Sequence, residues 1–177
     1  MKLHLVDINP DMCAAWEDAF AVCPEVEIIQ GNILYYAVDC IVSPANSYGH
    51  MDGGIDELYT KYFGNQLQVR LIEEIMRRFS KGLLPVGKAL LMRTKDEKIP
   101  FMISAPTMEG PMSLERPHNV FFAMNAMLSC AEKNRELIHD IYCPGLGTGV
   151  GRVPFEAAAQ EMVKAFRKHK NFSVSPG

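Results

Sequence analysis

The sequence predicts an α/β sandwich in which a mostly parallel or mixed sheet carries helices on both faces. Three observations lead to that expectation. Short apolar runs of strand length alternate with segments whose apolar residues recur at helical spacing; two of those runs, ending at Val42 and Cys143, open directly into glycine-rich segments; and no repeat or linker interrupts the alternation. We expect a single domain over residues 1–177, long enough to bury roughly 70% of the surface its unfolded chain exposes. A hydrophobic fraction of 48% and a charged fraction of 22% place it among globular chains and against disorder.

Lys2 to Ile8 alternates apolar and polar residues as a strand does, and Asn9-Pro10 then supplies an N-cap and a first helical residue. Met12, Trp16 and Phe20 lie four apart on one face of that helix, which we expect to end at Pro24. Val26 to Ile29 reads as a second strand, Gln30 to Ile33 as a turn, and Cys40 to Val42 as a third strand halted by Pro44. A helix begins near Ile55 and breaks at Gly64; the spacing of Leu67, Leu71, Ile72, Ile75, Met76 and Phe79 gives another. Ala89 to Met92 and Phe101 to Ser104 are strands, and Thr107 to Pro117 is a loop placed to border a pocket. A helix through Val120, Met124 and Ala131, a strand from Ile138 to Cys143 and a final helix opened by Pro154 complete the order, with basic Arg167 to Lys170 suited to that helix's negative end.

The net charge of −3, with signs interleaved, offers no footprint for bulk nucleic acid but leaves room for a local anion site. Five scattered cysteines, Cys13, Cys23, Cys40, Cys130 and Cys143, form no Cys-x-x-Cys pair and have no histidine at zinc spacing, so neither a structural metal nor a cofactor is expected. In apolar runs they read as buried thiols of a reducing compartment. No apolar run nears the roughly 20 residues of a membrane span, and the amino end is not signal-like; a cytoplasmic protein with no membrane partner is expected.

The stretch Asp39 to Asp56 holds the chemistry. It runs strand, loop, Gly53-Gly54, helix, and a glycine pair before a helix leaves backbone N–H groups uncovered at the positive end of the helix dipole. The expected guest is a phosphate or diphosphate. The second segment, Pro144 to Arg152, also lies beyond a strand's carboxyl end, so the two can wall one cleft. It lacks the dinucleotide fingerprint because Val150 stands where glycine is required. Gly82 to Lys88 matches a P-loop spacing, but Ala89 replaces the magnesium-binding hydroxyl and the flanking elements are in the wrong order.

With these residues on the page, the chain resembles the macro domain family. Gln30-Gly31-Asn32-Ile33 is similar to its Gly-Asp-Ile turn, Ile41 to Asn46 to its Ile-Val-Asn-Ala-Ala-Asn, and Gly53-Gly54-Ile55-Asp56 to its Gly-Gly-Val-Asp; Pro85-Val86-Gly87-x-Ala89 and Pro144 to Gly151 correspond further on. The resemblance implies a three-layer α/β/α sandwich with a central mixed sheet. It also implies ADP-ribose or an ADP-ribosylated protein as partner, with hydrolysis of ADP-ribose from side chains or dephosphorylation of ADP-ribose 1″-phosphate as the activity; a binding module without turnover is the alternative. Asn32 and Ile33 would then lie at the adenine, Asn46 at the distal ribose, Gly53, Gly54 and Ile55 at the diphosphate and ribose, and Gly147, Thr148, Gly149, Val150 and Gly151 along the diphosphate's other side. Asp56, ten residues after Asn46, would be catalytic alongside it, orienting or deprotonating the attacking water.

Three positions depart from the family pattern: Asn32 stands for Asp, Asp52 for a glycine, and Gly151 and Val153 for aromatic residues. Simpler roles are also open to the same residues. Asn46 can hold its own loop, Asp56 can serve the first helical turn, and the three alternating glycines can be turn residues. His50 and His118 are read as solvated or structural.

Overall fold

The structure, a computed structural model, describes residues 1–110 and 117–173. Six strands form one sheet: β1 (Lys2–Asp7), β2 (Val26–Gln30), β3 (Cys40–Ser43), β4 (Leu90–Arg93), β5 (Phe101–Ser104) and β6 (Asp140–Cys143), in the spatial order β2-β1-β6-β3-β5-β4. Every neighbouring pair is parallel except β4 with β5, so the sheet is mixed. Six helices connect them: α1 (Pro10–Ala19), α2 (Ile33–Tyr36), α3 (Gly54–Phe63), α4 (Gln66–Arg78), α5 (His118–Lys133) and α6 (Phe155–Ser173).

Alternation along the strands divides the core into two. Leu3 and Leu5, Cys40 and Val42, and Ile141 and Cys143 face a cluster built with α1, α5 and α6. Their neighbours Ile41, Met102 and Tyr142 face the other side, toward α2, α3 and α4. A strand buried on both faces carries no polar side to repeat, which is why Cys40-Ile41-Val42 reads as an unbroken apolar run. The three-layer expectation holds.

Local signals explain most boundaries. Asn9 caps α1 by accepting from the Asp11 N–H at 2.9 Å, with Pro10 at the first helical position. That helix stops at Ala19, ahead of Pro24, because the chain turns at Phe20, whose N–H closes on the Trp16 carbonyl. The turn expected at Gln30 to Ile33 continues into the single helical turn α2, capped by Asn32. The segment with P-loop spacing is the turn between α4 and β4. Most of the loop expected at Thr107 to Pro117, namely 111–116, lies outside the described residues.

One bond ties the second layer to the sheet near its carboxyl edge. Tyr59 of α3 is fully buried and its hydroxyl donates to the Val42 carbonyl at 3.1 Å. Tyr59→Phe is expected to cost about 1 kcal/mol in urea unfolding. An unchanged unfolding midpoint would show that the bond contributes nothing to holding α3.

Candidate functional site

Five strands run parallel, so the ends of β1, β2, β3, β5 and β6 open on one edge, where α/β sheets place their ligands. The segments that follow them surround a cleft of about 560 Å³, within the usual small-molecule range of roughly 300–1,000 Å³. Asn32 and Ile33 reach it from β2–α2; Asn46, Gly53, Gly54, Ile55 and Asp56 from β3–α3; and Gly147, Thr148, Gly149, Val150 and Gly151 from β6–α6. The residues singled out in the sequence thus line one cavity.

The β3–α3 loop is held from several directions. Ser47 accepts from the Leu84 N–H and donates to the Met108 carbonyl, while Met51, buried, accepts from the Thr60 hydroxyl at 2.8 Å. Gly49 sits at φ +82°, with Ile75 Cδ1 only 2.8 Å from where a Cβ would lie, so another residue would meet both backbone strain and the α4 side chains. Asn46 organises the tip: its Oδ1 accepts from the Tyr48 and His50 N–H groups at 3.0 and 3.3 Å, and its Nδ2 donates to the His50 carbonyl at 3.4 Å. The loop-holding role is therefore real. It leaves one amide N–H for a ligand.

At the base of the cleft Ser43 Oγ donates to Asp56 Oδ1 at 2.5 Å. Asp56 is a buried residue, 5% exposed, and burial pushes its pKa up to about 7; the Ser43 bond opposes the rise and the Asp52 charge adds to it. Asp56 caps no amide of α3 through its side chain, and Gly53 has none to offer, so the first N–H groups of that helix are left for a guest. Asp52 lines the cleft, is exposed, and makes no hydrogen bond or ion pair among the described residues.

Several lining residues escaped the sequence reading. Asp7 ends β1 and braces both neighbouring loops, accepting from the Asn9 N–H at 2.9 Å and the Gly145 N–H at 3.2 Å. A Cβ at Gly145 would lie 2.9 Å from Asp7 Oδ2 and 2.8 Å from Thr148 Oγ1, so any other residue there would push aside the side chain that braces this loop. Phe155, in the first turn of α6, packs partly against the core and also lines the cleft, beyond Gly151 and Val153. His50 is the one basic side chain in the described lining, whereas His118 lies elsewhere, paired with Glu161 and stacked on Phe121. Thr107 and Met108, at the start of the loop expected to border a pocket, do line the wall. Asp7 had a readable signal too, a lone acid closing an apolar strand.

No lysine or arginine is among the described lining residues, which include three aspartates. Among the described residues, backbone N–H groups, the α3 dipole and His50 are what an anion here would meet, and proteins use the first two for phosphates. Asn32 presents its amide to the same space while its Oδ1 accepts from the Leu34 N–H at 3.0 Å.

The Macro domain family profile matches residues 42–162. An uncharacterised protein of Aquifex aeolicus is 36% identical over 144 residues, covering 81% of this chain and 82% of its own. Among solved structures, the macrodomain of Mycobacterium tuberculosis DarG superposes with a TM-score of 0.66 at 19% identity, covering 78% of this chain and 88% of that one. Thermosipho africanus DarTG, in complex with ADP-ribose, gives 0.62 at 14% identity, covering 86% and 46%.

The buried carboxyl makes stability depend on pH in a defined sense. Folded Asp56 holds its proton to about pH 7, whereas unfolded it releases it near 3.8, so folding takes up a proton between those values. Its contribution is at its best below pH 3.8, declines as pH rises toward 7, and is flat above, a total of about 4 kcal/mol. Asp56→Asn, neutral throughout and still able to accept from Ser43, is expected to remove that decline, read as denaturant midpoints at pH 4, 5.5 and 7.5. The same slope in the variant would assign it to other groups.

Proposed function

The chain belongs to the macro domain family, and from that membership and the chemistry of its cleft we propose that it binds ADP-ribose and either releases it from modified protein side chains or dephosphorylates ADP-ribose 1″-phosphate. In this reading Asn32 meets the adenine amino group through the second lone pair of its Oδ1, and the N–H groups of Gly53 to Ile55 and Gly147 to Gly151 hold the diphosphate. The free N–H of Asn46 reaches the distal ribose, and Phe155 adds an apolar edge. The observation that carries the catalytic part is the placement of Asp56: a carboxyl in the cleft wall, held by Ser43, with a pKa near 7 that suits proton transfer at neutral pH. For glycosidic cleavage a water oxygen bonds to the anomeric carbon, its proton passes to the Asp56 carboxylate, and the bond to the side chain breaks with its electron pair.

A second reading, a module that retains ADP-ribose without turning it over, is favoured by the slight exposure of Asp56 and by the commitment of Asn46 to its loop. Both readings require the ligand. ADP-ribose at 100 times its dissociation constant is expected to stabilise the fold by about 2.7 kcal/mol, seen as a raised melting temperature. Asn46→Ala should weaken binding by roughly 1–2 kcal/mol. A flat melting curve at millimolar ADP-ribose removes both readings.

Turnover separates them. Release of ADP-ribose from a mono-ADP-ribosylated protein, and of phosphate from ADP-ribose 1″-phosphate, is expected to fall roughly 100-fold or more in Asp56→Ala while ADP-ribose still binds. Tight binding by the wild type without turnover of either substrate would identify the module.

A further inference from the structure

We propose that Asp52 selects a cationic partner at the mouth of the cleft, so that the preferred ligand is ADP-ribose attached to the guanidinium of an arginine side chain. The inference rests on the reading of the cleft as an ADP-ribose site and adds the chemistry of what the ADP-ribose is attached to.

Three aspartates line the cleft. A site that takes a diphosphate through backbone amides, with no lysine or arginine among its described lining, gains nothing from carboxylates unless each has an occupation. Asp7 has one, bracing Asn9 and Gly145. Asp56 has one, buried against Ser43. Asp52 has none: it neither caps α3 nor bonds or pairs with any described residue, yet it lines the cavity.

Position then says what Asp52 faces. It lies four residues before Asp56, across the Gly53-Gly54 turn, and its charge is felt at the Asp56 carboxyl. Asp56 attends the anomeric carbon in the proposed reaction, so the Asp52 carboxylate, in the same lining and near enough for its charge to act on Asp56, is assigned to the side chain that leaves the ribose. A negatively charged or neutral attachment gains nothing from it. A guanidinium keeps its positive charge when it bears ADP-ribose and matches a carboxylate with two parallel N–H donors. Leu58, half exposed and on the same cleft wall, offers apolar surface to the methylenes of an arginine stem.

The test isolates charge at constant shape. Two otherwise identical short neutral peptides carry ADP-ribose on arginine or on citrulline, whose urea replaces the guanidinium, and each competes with labelled ADP-ribose. Wild type is expected to bind the arginine peptide about three- to tenfold more tightly, with the preference shrinking in high salt. In Asp52→Asn the ratio should fall to within about twofold while free ADP-ribose binds somewhat more tightly, its repulsion relieved. Asp52→Ser, with the melting temperature of both variants compared with wild type, checks that the fold is intact. Equal affinity of the two peptides for wild type, or an undiminished ratio in both variants, overturns the proposal. Failure of labelled ADP-ribose to bind wild type, seen before any peptide is added, overturns the underlying reading and this one with it.

Discussion

The site depends on a carboxyl kept out of water at the junction of β3 and α3. Asp56 is presented by the first turn of a helix and met from below by Ser43 at the end of a strand buried on both faces. Because that strand is locked between two layers, Ser43 cannot follow a moving partner, and because Tyr59 of the same helix donates to Val42, α3 cannot lift away without breaking a second buried bond. The position of α3 fixes the direction of its uncapped amides, and with it one wall of the cleft. In the proposed function, recognition and proton chemistry therefore share a single support.

The opposite wall solves a different problem. In the proposed reading the anion is held largely by peptide groups, and these are useful only if their directions are fixed before the ligand arrives. Asp7 does this for the β6–α6 segment through the Gly145 N–H, and Asn46 for the β3–α3 loop through three bonds to Tyr48 and His50. Short polar side chains thus serve as braces for backbone, and the glycines mark where backbone must come close. Gly145, pressed against Asp7 and Thr148, shows how little room that geometry leaves.

Much of this was legible in the sequence, for reasons that differ by element. Periodicity fixed the helices with wide apolar faces, such as α4 with Leu67, Leu71 and Ile75, and strand-to-glycine junctions placed both walls of the cleft. Short-range geometry was readable where one residue dictates it, as with Asn9 and Pro10. What escaped depends on neighbours distant in sequence. Phe20 ends α1 before any proline is reached, Phe155 faces the cleft despite its core-like spacing, and the Ser43 to Asp56 contact joins residues whose types suggest no pairing. Asn46 illustrates a subtler limit: its ligand-facing and loop-holding roles looked like alternatives, yet an amide has enough donors and acceptors to serve both.

The pKa of Asp56 also bears on why such an arrangement persists. A carboxyl whose folded pKa stands near 7 costs the protein a sizeable share of the roughly 5–15 kcal/mol that separates folded from unfolded domains. An apolar residue or an asparagine at this position would avoid that cost without disturbing the helix, so the packing of α3 alone gives no reason for an acid there. Residues that lower stability while their surroundings hold them in one geometry are characteristic of functional sites. Ser43 is the surrounding that holds Asp56: its hydroxyl orients the carboxyl but opposes the rise in pKa, leaving a group still able to ionise near neutrality instead of one locked in its neutral form. A purely structural acid has no use for being poised between two protonation states. The proton transfer we propose for Asp56, from water and onward, does.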